Sequence, residues 1–406
     1  KNLWTDGAEG LPISLYAASD ERDEAAHIVA RIDRWIADGG TAGDAAVLYR
    51  SNAQSRIFEE VLIARGMPYC VYGGLRFFER AEIKDALAYL RLTLHRGDDV
   101  AFERIVNVPT RGIGQRTVEI VRTYARGERT SMWEAANELT RDDSELSGRA
   151  RNALANFTRL IEHMSVQMQS RELGDAMEYA IGASELDKHH GAEGGEIAQG
   201  RLENLAELVN AAGEFSPADD LEPLESFLAQ AALEAGDNQA ADWANAVKLM
   251  TLHSAKGLEF PLVAIAGLEE GLFPHVKSVE TPKGLEEERR LFYVGMTRAR
   301  EQLLLTNAER RRLHGQLRYS KPSRFLVELP EAHIEETGPR RSSRQTHEGG
   351  SADAARLGQR VHHASFGEGV ILEQEGEGAR ARLKIAFADA GVKWLVTQYA
   401  RLEILP

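Results

Sequence analysis

Cysteine is almost missing from this chain: Cys70 is the only one in 406 residues. That excludes a disulfide framework and any zinc site built on cysteines, and it fits a reducing, cytosolic setting. No run of 18 apolar residues occurs, and the N-terminus lacks the charged-then-apolar pattern of a secretory signal, so no membrane association is expected. Also missing is G-x-x-x-x-G-K-[ST], the loop whose backbone cradles a triphosphate, and with it any strand ending in an acidic Walker B pair. The pairs His189-His190 and His362-His363 lack spaced acidic or cysteine partners, so no metal site is expected. A basic balance is missing too. With 63 acidic against 49 basic residues the net charge is −14, which argues against a general nucleic-acid binder unless the basic residues cluster.

What is present is an ordinary globular composition, 43% apolar and 28% charged, long enough for two to four domains. The first residue is Lys1, which suggests a processed chain or a fragment. Residues 13–17 read as a strand. Residues 20–37 read as a helix, with Ala25, Ile28, Val29, Ile32, Trp35 and Ile36 on one face. A buried-type strand at 45–49, a helix at 55–65, a strand at 69–72 and a helix at 79–95 continue the alternation, which implies a mostly parallel sheet with covered faces. From 98 to 242 only helical periodicity remains, and strands resume at Val247. An all-helical block between two α/β blocks is most simply an insertion. The stretch 331–356 is rich in Ser, Gly, Glu and Arg and reads as a flexible linker, and the last 50 residues read as short strands of a small barrel.

Two blocks carry the chemistry. Thr251-Leu-His253 ends a strand, and Ser254 can cap the turn bearing Lys256, Gly257 and Glu259. Further on, Glu286-Glu-Glu-Arg-Arg290 opens a helix that closes near Arg298. Acids at a helix start and a cation at its end are explained by the macrodipole alone. Residue chemistry therefore permits a site here without requiring one; a strand-to-helix turn with solvated charges accounts for the same residues. Thr110-Arg-Gly-Ile-Gly114 is a Gly-x-Gly turn ahead of a helix, whose exposed N–H groups could hold a phosphate or merely reverse the chain. Between Arg298 and Arg324 eight basic residues stand against Glu301 and Glu309, an excess that fits a phosphate-tracking surface.

The blocks His253-Ser-Ala-Lys-Gly-Leu-Glu-Phe260 and Tyr293-Val-Gly-Met-Thr-Arg-Ala299 resemble motifs V and VI of superfamily-one DNA helicases of the UvrD/PcrA/Rep group, nearest its UvrD members. Residues 46–56 and 72–85 are similar to the group's second RecA-like domain (2A), Asn107-Val-Pro-Thr-Arg-Gly-Ile-Gly114 to the start of its inserted domain (2B), and residues 358–369 with Val392-Lys-Trp-Leu395 to its C-terminal Tudor-like module. The resemblance covers nearly the whole chain. It implies an α/β fold: a RecA-like parallel-sheet domain 2A (1–97 and 245–330) interrupted by an all-α domain 2B (98–244), a linker (331–356), and an all-β Tudor/SH3-like barrel (357–406).

The resemblance also implies roles. Arg298 matches the arginine finger on the γ-phosphate and Glu259 the acid that holds the ribose of ATP, with Lys256 and Gly257 beside them in the nucleotide site. Arg50, Asn52 and His253 match single-strand DNA contacts. His314 stands where the group has a base-stacking aromatic, and histidine stacks more weakly. Thr110, Gly112, Ile113 and Gly114 match a grip on the duplex at the junction. Mg²⁺ would be held by the N-terminal RecA-like domain, which would precede Lys1. The implied setting is the bacterial cytoplasm, close to the nucleoid, in DNA repair. RNA polymerase or repair proteins are implied partners of the barrel, where Trp394 is read either as core or as a protein-binding surface. Two functions follow: the C-terminal half of an ATP-dependent 3′-to-5′ helicase, inactive alone, or a non-catalytic module binding DNA or RNA polymerase.

Overall fold

Asp20 decides where the first strand gives way to the first helix. Strand β1 (Ile13–Ala18) alternates half-buried and buried residues. Asp20 is extended, and its carboxylate accepts the Asp23 N–H at 3.0 Å, capping α1 (Glu21–Ala37). Strand β2 (Ala45–Tyr49) is buried at every residue, as a central parallel strand must be. Then come α2 (Ser55–Ala64), β3 (Tyr69–Val71) and α3 (Ala81–Leu94). The computed structural model describes residues 10–141, 146–217, 222–236, 245–313, 316–337, 360–363, 366–375, 382–387, 391–396 and 402–404.

Among the described residues eight helices follow: α4 (Asp99–Ile105), α5 (Gln115–Glu128), α6 (Met132–Leu139), α7 (Gly148–Met168), α8 (Leu173–Ser184), α9 (Leu186–Gly191), α10 (Gly195–Glu214) and α11 (Pro223–Gly236). Strands return with β4 (Val247–Thr251) and β5 (Phe260–Ile265), then α12 (Pro282–Met296), β6 (Ala299–Ala308), the ribbon β7 (Arg310–Leu313) and β8 (Gln316–Tyr319), and β9 (Ile334–Glu336). The main sheet has seven strands in the order β3-β4-β2-β5-β6-β1-β9. Its pairings are parallel. Strand β2 lies between β4 and β5, with Val47 opposite both Leu249 and Ala264. The chain thus leaves the sheet after β3 and returns beside it, so the helical block is an insertion.

Alternate residues of each strand feed opposite faces. Val47, Tyr49, Leu249 and Leu262 join α1 and α2 in one core, whereas Ala46, Leu48, Met250 and Val263 join Leu291 and Phe292 of α12 in the other. The helical core starts earlier than residue 98. Phe77, Phe78, Leu87 and Leu90 belong to it, together with Phe102, Val121 and Phe157. The apolar stripe of α3 looks in sequence like that of any helix covering a sheet, but its partners are α4, α7, α8 and α10.

Two other boundaries move. Residues 331–337 are not linker: β9 pairs with β1 at Ile13–Ile334, and the Thr337 N–H donates to Leu15 O at 2.9 Å. The remainder of the expected linker to 356 lies outside the described residues. Helix α12 begins at Pro282, where Thr281 Oγ1 accepts the Gly284 N–H at 3.1 Å, so Glu286, Glu287 and Glu288 fall in its second turn rather than at its positive end. In the second unit, Arg341–Pro406, the described strands form an antiparallel sheet. Its strands β10 (Arg360–His363), β11 (Gly367–Glu375), β12 (Arg382–Phe387), β13 (Gly391–Val396) and β14 (Leu402–Ile404) run in the order β13-β12-β11-β10-β14 around Val361, Leu383, Ile385 and Phe387.

Candidate functional site

The candidate residues occupy opposite ends of the main sheet. Strands β2 and β4 finish in register at Tyr49 and Thr251, so Arg50 and His253 emerge side by side at C-terminal strand ends. Strands β5 and β6 start in register at Phe260 and Ala299, so Glu259 and Arg298 sit just before adjacent N-terminal ends. All these strands run the same way, and residues 252–259 make the crossing from one end to the other. Leu252 and Ala255 anchor that crossing with no exposed surface. Gly257 turns it at φ 89°, a left-handed conformation that a side chain would strain. Helix α12 lies directly on it: a Cβ at Gly295 would stand 2.4 Å from Leu252 Cδ2.

At the N-terminal ends, Arg298 is held by neutral oxygens. Its Nη1 donates to Leu258 O at 2.8 Å, Nε to Val294 O at 2.9 Å and Nη2 to Thr297 Oγ1 at 3.0 Å. The Phe260 N–H returns a bond to Arg298 O at 2.9 Å. Among the described residues no carboxylate pairs with Arg298. A guanidinium positioned in this way keeps its whole charge for an incoming anion. Glu259 instead pairs with Arg300, and both side chains are more than half exposed. Lys256 and Gly257 are exposed beside it.

The C-terminal ends open into a cleft of about 870 Å³, lined by Arg50, Asn52, His253, His275, Lys277 and Glu203 among others. Here the charges are balanced. Arg50 Nε reaches both Glu288 oxygens at 3.0 and 3.2 Å, and Nη2 adds a bond of 2.9 Å. Glu288 also accepts the His275 N–H at 3.1 Å and Ser278 Oγ at 3.0 Å. Burial pushes the Glu288 carboxyl up, but the bonds from Arg50, His275 and Ser278 outweigh it and hold the group below the usual carboxylate range. Arg50 is therefore a strut in this conformation, not a loose cation. His253 stands exposed on the wall; desolvation and then the Arg50 charge lower its pKa, leaving a neutral ring at pH 7. Asn52 is exposed, with its carbonyl accepting Arg80 Nη1 at 3.1 Å. From α10, Glu203 closes the cleft: burial raises its pKa, yet bonds from His275, Ser51 and Gln199 bring it down to about 2.

The turn at 110–114 is folded by Asn107, whose Oδ1 accepts the Arg111 and Ile113 N–H groups at 2.8 and 3.2 Å. Ile113 is 1% exposed, so its side chain belongs to the core and its N–H is already taken; it does not suit the ligand role expected of it. Thr110, Gly112 and Gly114 are exposed. Gly114 starts α5 with no side chain capping the helix; the Thr117 N–H bonds back to Gly114 O at 2.9 Å, which leaves the Gln115 and Arg116 N–H groups for another acceptor.

The family description of the UvrD-like helicase C-terminal domain matches residues 1–310. The chain belongs to the UvrD-like helicase family. Residues 357–403 match the PcrA/UvrD tudor domain. DNA helicase II of Escherichia coli (strain K12) is 52% identical over 414 residues, 99% of this chain and 57% of that protein. DNA helicase II of Haemophilus influenzae is 46% identical over 416 residues, 99% of this chain and 57% of that one. The ATP-dependent DNA helicase PcrA of Bacillus subtilis (strain 168) is 37% identical over 431 residues, with 99% and 58% covered. The chain thus spans a little over half the length of the curated relatives it matches.

Within this UvrD-like frame, one sequence expectation fails. The basic excess after Arg298 is largely consumed inside the fold. Arg300 pairs with Glu259, Arg310 with Asp20, Arg312 with Glu214 and Arg324 with Glu270. Arg311 is buried between Glu24 and Glu269, 2.7 Å from the latter. These partners are remote in sequence, which is why a count of neighbouring charges misled. His314 lies outside the described residues. Glu288 and Asn107 stand inside quoted motifs without a role of their own and Glu24 and Glu269 outside any motif, although two of the four leave a trace in the sequence. Glu288 lies on the buried stripe of α12 with Leu291, Phe292 and Gly295, and Glu24 on that of α1 with Ala25 and Ile28. A carboxylate on an apolar stripe needs a buried partner.

Proposed function

We propose that this chain supplies the second wall of the ATP site and much of the DNA track of a UvrD-type 3′-to-5′ DNA helicase. The observation that carries the proposal is Arg298, whose guanidinium is oriented by main-chain carbonyls and has no carboxylate partner among the described residues. It sits at one end of the crossing whose other end is His253 in the cleft. In this reading Arg298 meets the γ-phosphate and stabilises charge in phosphoryl transfer. Glu259 holds the ribose, exchanging its exposed pair with Arg300 at little cost. ATP supplies the phosphoryl group when bound, and its Mg²⁺ is held by a P-loop domain of the same protein. Displacement felt at Glu259 and Arg298 passes along 252–259, under α12, to His253, Asn52 and the single strand. The exposed N–H groups at Gly112 and Gly114 hold duplex phosphate. On its own the chain, which has no P-loop, neither hydrolyses ATP nor unwinds DNA. The test is Arg298→Ala in the protein that carries the P-loop domain: ATP turnover collapses while single-strand binding stays nearly intact. Loss of both together would count against the finger role.

A second reading, a non-catalytic binding module, is favoured by one observation in the terminal unit. Trp394 is 37% exposed, with Arg382 Cζ 5.4 Å and Lys384 Nζ 5.5 Å from its ring. An exposed aromatic between cations suits a protein surface such as that of RNA polymerase or a repair protein. Retention of such a partner by residues 355–406 in a pull-down would support it, and no retention would remove it.

A further inference from the structure

Helix α1 carries a second stripe that the fold leaves unused. Its buried stripe runs through Ala25, Ile28, Val29 and Ile32. Beside it His27, Ala30, Arg31 and Arg34 recur three and four residues apart, so they share one face of the helix. That face overhangs the beginnings of the strands. Gln302 of β6 stands opposite Leu262 of β5, and Leu304 of β6 opposite Ser14 of β1, all on the α1 side of the sheet. Between helix and strands lies a cavity of about 510 Å³ lined by these residues. Its size falls in the range of about 300–1,000 Å³ that holds small molecules. The cationic side of the cavity is not balanced. Among the described residues Arg31 makes one side-chain hydrogen bond, from Nη2 to Gln302 Oε1 at 3.4 Å, exposed Arg34 makes none, and neither is in an ion pair. The His27 ring lies flat on that of Tyr16, with centroids 3.6 Å apart, and its Nε2 is buried with no partner among the described residues. The acid in the lining, exposed Glu335, belongs to β9, two strands and about 10 Å from Gln302.

A buried polar nitrogen without a partner is destabilising, and an acceptor placed in the cavity removes that penalty. Two guanidinium forks and one ring N–H, converging from one helix face, suit a group with three acceptor oxygens; a phosphate has them and a carboxylate does not. We propose that this cavity is a small-molecule site for a phosphomonoester of nucleoside-monophosphate size. Arg31 and Arg34 meet the phosphate, His27 Nε2 donates to it, and Leu262 and Leu304 lie beneath the remainder of the ligand. Lys256, Gly257, Glu259 and Arg298 take no part in the lining, so the site is distinct from the proposed wall of the ATP site, although both use β5 and β6.

The experiment is isothermal titration calorimetry of the whole 406-residue chain with AMP, repeated in competition with inorganic phosphate. AMP should bind and inorganic phosphate should displace it. Arg31→Gln and Arg34→Gln should each raise the Kd about tenfold, the loss of one charge-assisted hydrogen bond, while the urea midpoint stays in place. Arg298→Ala should leave AMP binding unchanged. No binding of AMP or phosphate at millimolar concentration overturns the assignment, as does binding that ignores both arginine substitutions. AMP binding lost in Arg298→Ala but kept in Arg31→Gln would move the ligand to the ATP wall, overturning this site while supporting that reading. Oligonucleotides distinguish the source of the phosphate. Displacement of AMP by a 5′-phosphorylated strand but not by its 5′-hydroxyl form assigns the site to a strand end, and displacement by neither assigns it to a free nucleotide. Equal displacement by both would make the stripe a general backbone contact and overturn the proposal.

Discussion

Arg298 and Arg50 are arginines at strand ends of one sheet, and the fold treats them in opposite ways. Arg50 is neutralised by a bidentate bond to a nearly buried carboxylate that is itself held by His275 and Ser278. Arg298 is positioned as firmly, but by uncharged oxygens. The first arrangement spends the cation on holding β2 to α12. The second keeps the cation available and fixes only its direction, which is what an arginine facing a developing negative charge requires. Position at a strand end therefore does not identify a ligand-binding arginine; the charge of its partners does.

Substitution of the two arginines should separate these roles most clearly. Arg298→Ala, in the protein with its P-loop domain, should lower ATP turnover about a thousandfold or more, in line with arginine fingers elsewhere, while its unfolding midpoint in urea barely moves. The reverse pattern, a large stability loss with turnover retained, would make Arg298 the strut and erase the contrast.

The next effect belongs to the strut. Glu288→Ala leaves Arg50 without its carboxylate in a site where it is only one-fifth exposed. Breaking a buried pair costs about 3–5 kcal/mol, and the partial exposure of Arg50 brings the expectation to about 2–3 kcal/mol. Urea unfolding measures it. Arg50→Ala should be destabilising as well, and the double substitution should cost less than the sum of the two. Additive losses would show that the pair is not coupled.

How much of this was legible beforehand depends on the range of the interactions. Strand–helix alternation and its interruption are local periodicities, so the inserted architecture and the strands of the terminal unit could be read from the chain. The start of the helical core could not, because α3 has an unremarkable stripe and only its partners show which core it joins. Charge partners were the least legible. Arg310, Arg311 and Arg312 look like a basic surface until Asp20, Glu24 and Glu269 are brought to them by the fold. Residue chemistry never singled out Arg298 either; family resemblance did, and the geometry supplied the reason it suits the role.

The cleft end should also carry an acid sensitivity. Glu203 has a folded pKa of about 2, below the ordinary glutamate value of 4.5. A depressed carboxylate contributes stability above its unfolded pKa and loses it as pH falls through the folded one. The contribution, on the order of 2 kcal/mol, should therefore be complete above about pH 5 and disappear between about pH 4.5 and 2. Glu203→Gln should flatten that limb of a stability–pH curve. An unchanged limb would mean that the α10 contact with Ser51 and His275 does not persist in solution.

The smallest effect probes the Glu259–Arg300 ion pair at the N-terminal strand ends. Glu259 and Arg300 are 56% and 57% exposed, so water already solvates both and their attraction is weak. Arg300→Ala should change unfolding stability by no more than about 0.5 kcal/mol. Its consequence should lie in binding instead. If Glu259 takes the ribose, Arg300 competes for the same carboxylate, and removing it should tighten binding of a fluorescent ADP analogue by up to about threefold. Glu259→Ala should weaken that binding, and the double variant should behave like Glu259→Ala alone, because there is then no carboxylate left to release. A stability loss above about 1 kcal/mol in Arg300→Ala would instead place this pair with Arg50–Glu288, as a strut, and the two ends of the sheet would differ only in Arg298.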